Sequence, residues 1–88
     1  MDIGDIVTSK NGRDAGKSFI VIATENEYSK IANGKTRRLE KPKLKKNKHL
    51  NLETKSDNSI TEKIESNKIT NNEIRTYLSR RNVCQKMT

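Results

Sequence analysis

Asp5-Ile6-Val7-Thr8-Ser9-Lys10-Asn11-Gly12-Arg13-Asp14-Ala15-Gly16-Lys17-Ser18-Phe19-Ile20-Val21-Ile22 is the stretch that decides the fold. Its opening, from Ile3 to Thr8, reads as a strand rich in β-branched residues. Ser9 to Lys17 follows with Gly12 and Gly16, flanked by Asn11 and Asp14. Such residues mark a loop that needs positive φ or close backbone approach. Ser18 to Thr24 is the most strand-like segment of the chain. Its apolar run, Phe19 to Ala23, is too short for an isolated helix, and its β-branched side chains favour a sheet. The stretch is therefore strand, glycine loop, strand.

Working outward, Glu25-Asn26-Glu27 is a polar turn and Tyr28 to Ala32 a third strand. Asn33-Gly34 is a strong hairpin signal, since a type I′ turn needs two residues at positive φ. Lys35-Thr36-Arg37-Arg38-Leu39-Glu40 is then the predicted return strand, ended by Lys41-Pro42. Residues 41–48 read as a basic loop and His49 to Thr54 as a short fifth strand. Five short strands separated by regular turns predict a mainly β fold, either a small barrel or an open sandwich. The expected core is Ile6, Val7, Phe19, Val21, Ile22, Ile31, Leu39, Leu50 and Leu52.

Residues 55–69 read as a polar linker, although Ser59-Ile60-Thr61-Glu62 matches a capping-box pattern. Thr70-Asn71-Asn72-Glu73 matches it again, and Ile74, Tyr77 and Leu78 follow on one helical face. With Arg80 and Arg81 late, as the helix dipole prefers, this predicts an amphipathic helix at 70–81. Its apolar stripe packs on the strands or meets a partner protein. Residues 82–88 are expected to be a flexible tail.

Composition bounds the function. Among 88 residues, 30% are hydrophobic and 3% aromatic, a thin supply that leaves room for one small core. Net charge is +8, and it is concentrated: residues 1–34 carry 4 basic and 5 acidic groups, residues 35–49 carry 8 and 1, and residues 50–88 carry 7 and 5. Such a focus attracts polyanions, and on charge alone RNA, DNA, anionic membrane and acidic proteins all qualify. Cys84 is the single cysteine, which excludes an intramolecular disulfide or a cysteine-rich zinc site and fits a reducing cytoplasm. No run approaches the roughly 18 apolar residues of a membrane span. The N-terminus has no basic segment followed by an apolar one, so a secretory signal is not expected. His49 lies in a very basic stretch, where a surface or RNA-contacting role is expected rather than a general base. Gly12 to Gly16-Lys17-Ser18 has one residue too few for a Walker phosphate loop. No catalytic residue, metal site or cofactor is therefore expected, and the chain reads as a non-enzyme.

Asp5-Ile6-Val7 through Ile22 resembles a KOW motif, in which a strand, a glycine loop and a second strand are arranged around one key glycine, matched here by Gly16. The run Asn33-Gly34-Lys35-Thr36-Arg37-Arg38-Leu39-Glu40-Lys41-Pro42-Lys43, then His49-Leu50, extends the likeness. Roughly residues 3–54 are similar to the small bacterial KOW-domain RNA-binding proteins, themselves similar to the large-subunit ribosomal protein of the fourteen-e type. The resemblance implies a small SH3-like barrel over 1–54, RNA binding, and association with ribosomal RNA or the large ribosomal subunit.

The residues support RNA independently. Lys10, Asn11, Arg13 and Lys17 sit beside Gly12 and Gly16, whose backbone amides could approach phosphate oxygens. Arg37 and Arg38 are adjacent, so on a strand they would point to opposite faces. Lys35, Lys41, Lys43, Lys45, Lys46 and Lys48, with His49, complete the candidate surface, the lysines as flexible point charges. On that reading, replacing Lys41, Lys43 and Lys45 with Gln should leave folding intact. Few aromatics are available for stacking, which favours structured RNA read through its phosphates. The alternative function is a protein–protein adaptor using the barrel and the helix at 70–81.

Overall fold

Strand, glycine loop and strand form as the sequence predicts. β1 (Ile6–Ser9) pairs antiparallel with β2 (Ser18–Glu25), with Val7 opposite Phe19. The structure, a computed structural model, describes residues 1–10 and 12–87, the last seven of them as helical backbone alone. Asn11, and the side chains of Arg81, Cys84 and the segment expected to be flexible at 82–88, lie outside the described residues.

β3 (Tyr28–Ala32) pairs with β2, and the register shifts between Val21 and Ala23. The predicted return strand at 35–40 does not form. Asn33 supplies the reason, because its side chain folds the chain back on itself. Its Oδ1 accepts from the amides of Lys35 and Arg37, each at 2.9 Å, while Nδ2 donates to Thr36 Oγ1 at 2.9 Å. The backbone amides of Asn33 and Gly34 both donate to the Arg37 carbonyl, at 2.8 and 3.0 Å. An Asx-type turn thus replaces the expected type I′ hairpin.

The partner strand comes later, inside the expected basic loop. β4 (Lys43–Lys46) pairs with β3, with Ile31 opposite Lys43 and Ser29 opposite Lys45. A single turn of 3-10 helix (Asn47–His49) leads into β5 (Leu50–Thr54), which returns beside β1. The result is a five-stranded antiparallel sheet in the order β4-β3-β2-β1-β5.

The expected linker also contains an element. α1 (Asn58–Glu65) is capped by Asp57, whose Oδ1 accepts from the Ile60 amide at 2.9 Å. It ends on Asn67 at φ +59, a left-handed position suited to closing a helix. Polar residues mask the signal, but Ile60 and Ile64, four apart, define an apolar edge, and both are buried. α2 (Asn71–Met87) starts where the capping box predicts, with the Glu73 amide donating to Thr70 Oγ1 at 3.1 Å, and extends past 81.

Two apolar clusters lie on opposite sides of the sheet, because alternate residues of a strand point to opposite faces. Val7, Phe19, Val21, Ile31 and Leu50 form one. Ile6, Ile20 and Ala32 face the other way and are covered by Ile60 and Ile64 of α1 and Ile74 and Leu78 of α2. The stripe on α2 is thus used in the core, with Tyr77 partly buried beside it. Of the expected core residues, Ile22 and Leu39 pack at the margin of the helix-covered cluster, and Leu52 is 44% exposed on edge strand β5. Ile20 and Ala32 enter the core because the helices cover a second face.

Candidate nucleic-acid interface

The loop between β1 and β2 is closed by its own backbone. Ser9 and the loop's end are bonded to each other, Gly16 N–H donating to Ser9 O at 2.9 Å and Ser9 N–H to Lys17 O at 3.2 Å. Ala15 N–H donates to Gly12 O and Lys17 N–H to Asp14 O. These turns place Gly12 at φ +78 and Gly16 at φ +82. The amides of Ala15, Gly16 and Lys17 are therefore committed within the loop, so the expected phosphate cradle of glycine-loop amides does not include them. What the loop offers is side chains: Lys10, Arg13 and Lys17 are all exposed.

Asp14 organises the site. Its side chain is only 7% exposed, and Lys43 Nζ donates to Oδ2 at 2.9 Å while Arg37 Nε lies 4.0 Å away. The hydrogen bond from Lys43, with the charges of Lys43, Arg37 and Lys17, holds the carboxyl below the usual aspartate range despite the opposing effect of burial. Beside it, Lys45 Nζ donates to Ser9 Oγ at 2.7 Å. Lys43 and Lys45 alternate with Leu44 and Lys46 on β4, so they share the face of Ile31 and Ser29. Lysine stems readily lie along apolar surface with the ammonium at its rim. Here two of them take the inward positions on a strand with no inward apolar residue, and their heads tie β4 to the loop. Lys43 and Lys45 are therefore anchored and half-buried, not the flexible point charges the sequence suggests. Gln at both positions would remove these two ties, so the triple variant at 41, 43 and 45 bears on the fold as well as on charge.

The remaining candidates are distributed around this centre. Lys10 N–H donates to His49 O at 2.9 Å, which brings the loop beside the 3-10 turn that carries exposed Lys48 and half-buried His49. Lys41 is exposed just before β4. Lys46 lies on the opposite face of β4, with Nζ 5.8 Å from the Tyr28 ring centroid. Arg37 and Arg38 diverge as anticipated, although in a turn and not a strand: Arg38 pairs with Glu40 at 3.1 Å, and Glu40 also accepts from Asn71 of α2. These two bonds, Asn71's first, lower the Glu40 pKa. Lys35 is exposed at the edge of the Asn33 turn. The loop, Arg37 and β4 are thus brought together, while Arg38 and Lys46 are directed elsewhere.

Two residues not singled out from the sequence matter here. Asp14 was legible as the one acid inside a basic glycine loop. Arg75, whose Nη1 donates to Gly34 O at 2.8 Å, lies 41 positions away in sequence and had no local signal. Among the described residues, no helix is long and apolar enough to cross a membrane. No protein-family model matches the chain, and no curated protein matches its sequence.

Proposed function

We propose that this chain is a cytoplasmic, non-enzymatic RNA-binding accessory protein. On this reading it holds structured RNA, ribosomal RNA foremost, by phosphate contacts from Lys10, Arg13, Lys17, Arg37, Lys41 and Lys48, over the anchored Lys43 and Lys45. The observation that carries this reading is the convergence on Asp14. One buried carboxylate gathers Lys43 and Arg37 beside exposed Lys17, so cations distant in sequence form one fixed surface with a large positive excess. Phe19 is fully buried and Tyr28 is half-buried with Lys46 against its ring, so neither offers an open stacking platform. That favours recognition of RNA by shape and backbone over base-by-base reading.

The fold we assign to this activity is an SH3-like barrel of the KOW type. The strand order, with β5 beside β1 and a one-turn 3-10 helix between β4 and β5, supports it. So does the positive φ of Gly16, the glycine matched to the motif. The test is binding of a structured RNA by Lys10, Arg13 and Lys17 all changed to Gln, three exposed positions whose loss leaves Asp14 paired. Affinity should fall, and the slope of log K against log salt should flatten by about one for each phosphate contact removed. An unchanged Kd and slope would overturn the reading. The ribosomal part is tested by gradient sedimentation: co-migration with the large subunit at low salt and release at high salt is expected, and migration only at the top would remove it.

A further inference from the structure

The two flanks of α2 differ in charge. On the flank facing α1, the groove between the helices is lined by two acids, Asp57 and Glu73, and two bases, Lys63 and Arg80, and Lys63 pairs with Glu73. The opposite flank forms a cleft with the Asn33 turn, lined by Asn33, Lys35, Arg75, Leu78 and Ser79. Its charged residues are both cationic, and among the described residues no carboxylate forms an ion pair with either. Arg75 is not a loose side chain. Nη1 donates to Gly34 O at 2.8 Å and Nη2 to Asn72 Oδ1 at 3.2 Å, neutral acceptors that fix the guanidinium without cancelling its charge. Two of its five donors are used in these bonds. The cleft adjoins the surface already described, because the Asn33 turn that forms its rim closes on Arg37, the residue that reaches Asp14.

We infer that Lys35, Arg75 and the Ser79 flank of α2 extend the RNA surface, so that the ribose-phosphate backbone runs from the 10–17 loop across Arg37 into this cleft. The inference rests on the RNA-binding reading and adds a second element to it. A fixed, uncompensated guanidinium beside an exposed ammonium suits a phosphodiester, and the charge complementarity extends along one side of the helix only.

A flank-resolved charge test follows. Lys35 is exposed at the rim of the cleft, and Arg80 is exposed in the groove facing α1. Lys35→Gln and Arg80→Gln each remove one positive charge, one from either flank. Binding of a structured RNA by the full chain should weaken about fivefold or more with Lys35→Gln and less than about twofold with Arg80→Gln. Equal effects, no effect of Lys35→Gln, or a larger effect of Arg80→Gln would overturn the inference. Should Lys35→Gln lower the melting temperature, Ser79→Glu, which places a negative charge in the same cleft, is the substitute, and an unchanged Kd for it counts against the cleft. The loop triple variant separates the two failures: if it weakens binding while these two variants behave alike, the cleft fails and RNA binding stands.

Discussion

Gly16 and Gly34 both sit at positive φ, +82 and +75, but for different reasons. A Cβ on Gly16 would meet no atom within 4 Å, so its requirement is conformational alone. A Cβ on Gly34 would fall on the backbone carbonyl of Asn71 at the start of α2, which cannot turn aside as a side chain could. Gly16→Ala should therefore cost about 1–2 kcal/mol, the ordinary penalty of a left-handed residue. Gly34→Ala should cost distinctly more, because the α2 start must also move away. Thermal unfolding of the two variants checks this, and equal melting temperatures would contradict it. Both glycines were visible in the sequence, but only Gly16 was placed in its actual setting. The pair Asn33-Gly34 carries a strong hairpin signal, and that signal cannot reveal that Asn33 turns its side chain inward to accept from Lys35 and Arg37. Gly34 serves a contact with a helix 37 residues downstream, information that short-range patterns do not contain.

At the scale of elements, β4 is a closing strand whose inward positions are lysines. Lys43→Gln would leave the buried Asp14 carboxylate without its hydrogen-bonded cation, a loss of about 1–3 kcal/mol, whereas Lys41→Gln, at an exposed position, should cost almost nothing. The sign of the pH dependence follows from the depressed pKa of Asp14. Its stabilisation is present above the ordinary value of 3.8 and is lost as pH falls through the lower folded value. The gap between wild type and Lys43→Gln should therefore be constant near neutrality and begin to narrow below about pH 4. Melts from about pH 7 to about pH 2 would show the narrowing, and a gap with no pH dependence over that range would indicate packing alone. A lysine run gave no local reason to expect a strand, since its stability comes from Asp14, Ser9 and the pairing with β3. β1 to β3, β5 and the start of α2 were legible because their β-branched runs, polar–apolar alternation or caps act locally. α1 carried a start signal at Ser59 to Glu62, two residues after its actual cap Asp57, but only two isoleucines in eight residues mark its buried edge, so its extent was not legible.

At the scale of the whole molecule, the sheet has apolar residues on both faces, and the second face depends on α1 and α2. The sequence places a barrel at 1–54, and without the helices Ile6, Ile20 and Ala32 of that segment would face water. Ile60, Ile64, Ile74 and Leu78 would be lost as well. At about 1.5–3 kcal/mol for each large side chain, that exceeds the few kcal/mol a domain of this size holds in reserve. The fragment 1–54 should therefore lack a cooperative thermal transition, while the full chain melts in a single step. A sharp transition in the fragment would show that the helices are an accessory layer. Asp5 stands at this junction: fully buried, it accepts the Asp2 amide on Oδ2 and the Ser56 amide on Oδ1, both at 2.9 Å. The second bond joins positions 51 apart, so a long loop must close before it can form, whereas the β2–β3 hairpin needs only neighbours. Ser56 is thereby a clock on folding. In pulsed hydrogen exchange during refolding its amide should gain protection late, after the hairpin amides, marking the moment at which the sheet and its helices become one body.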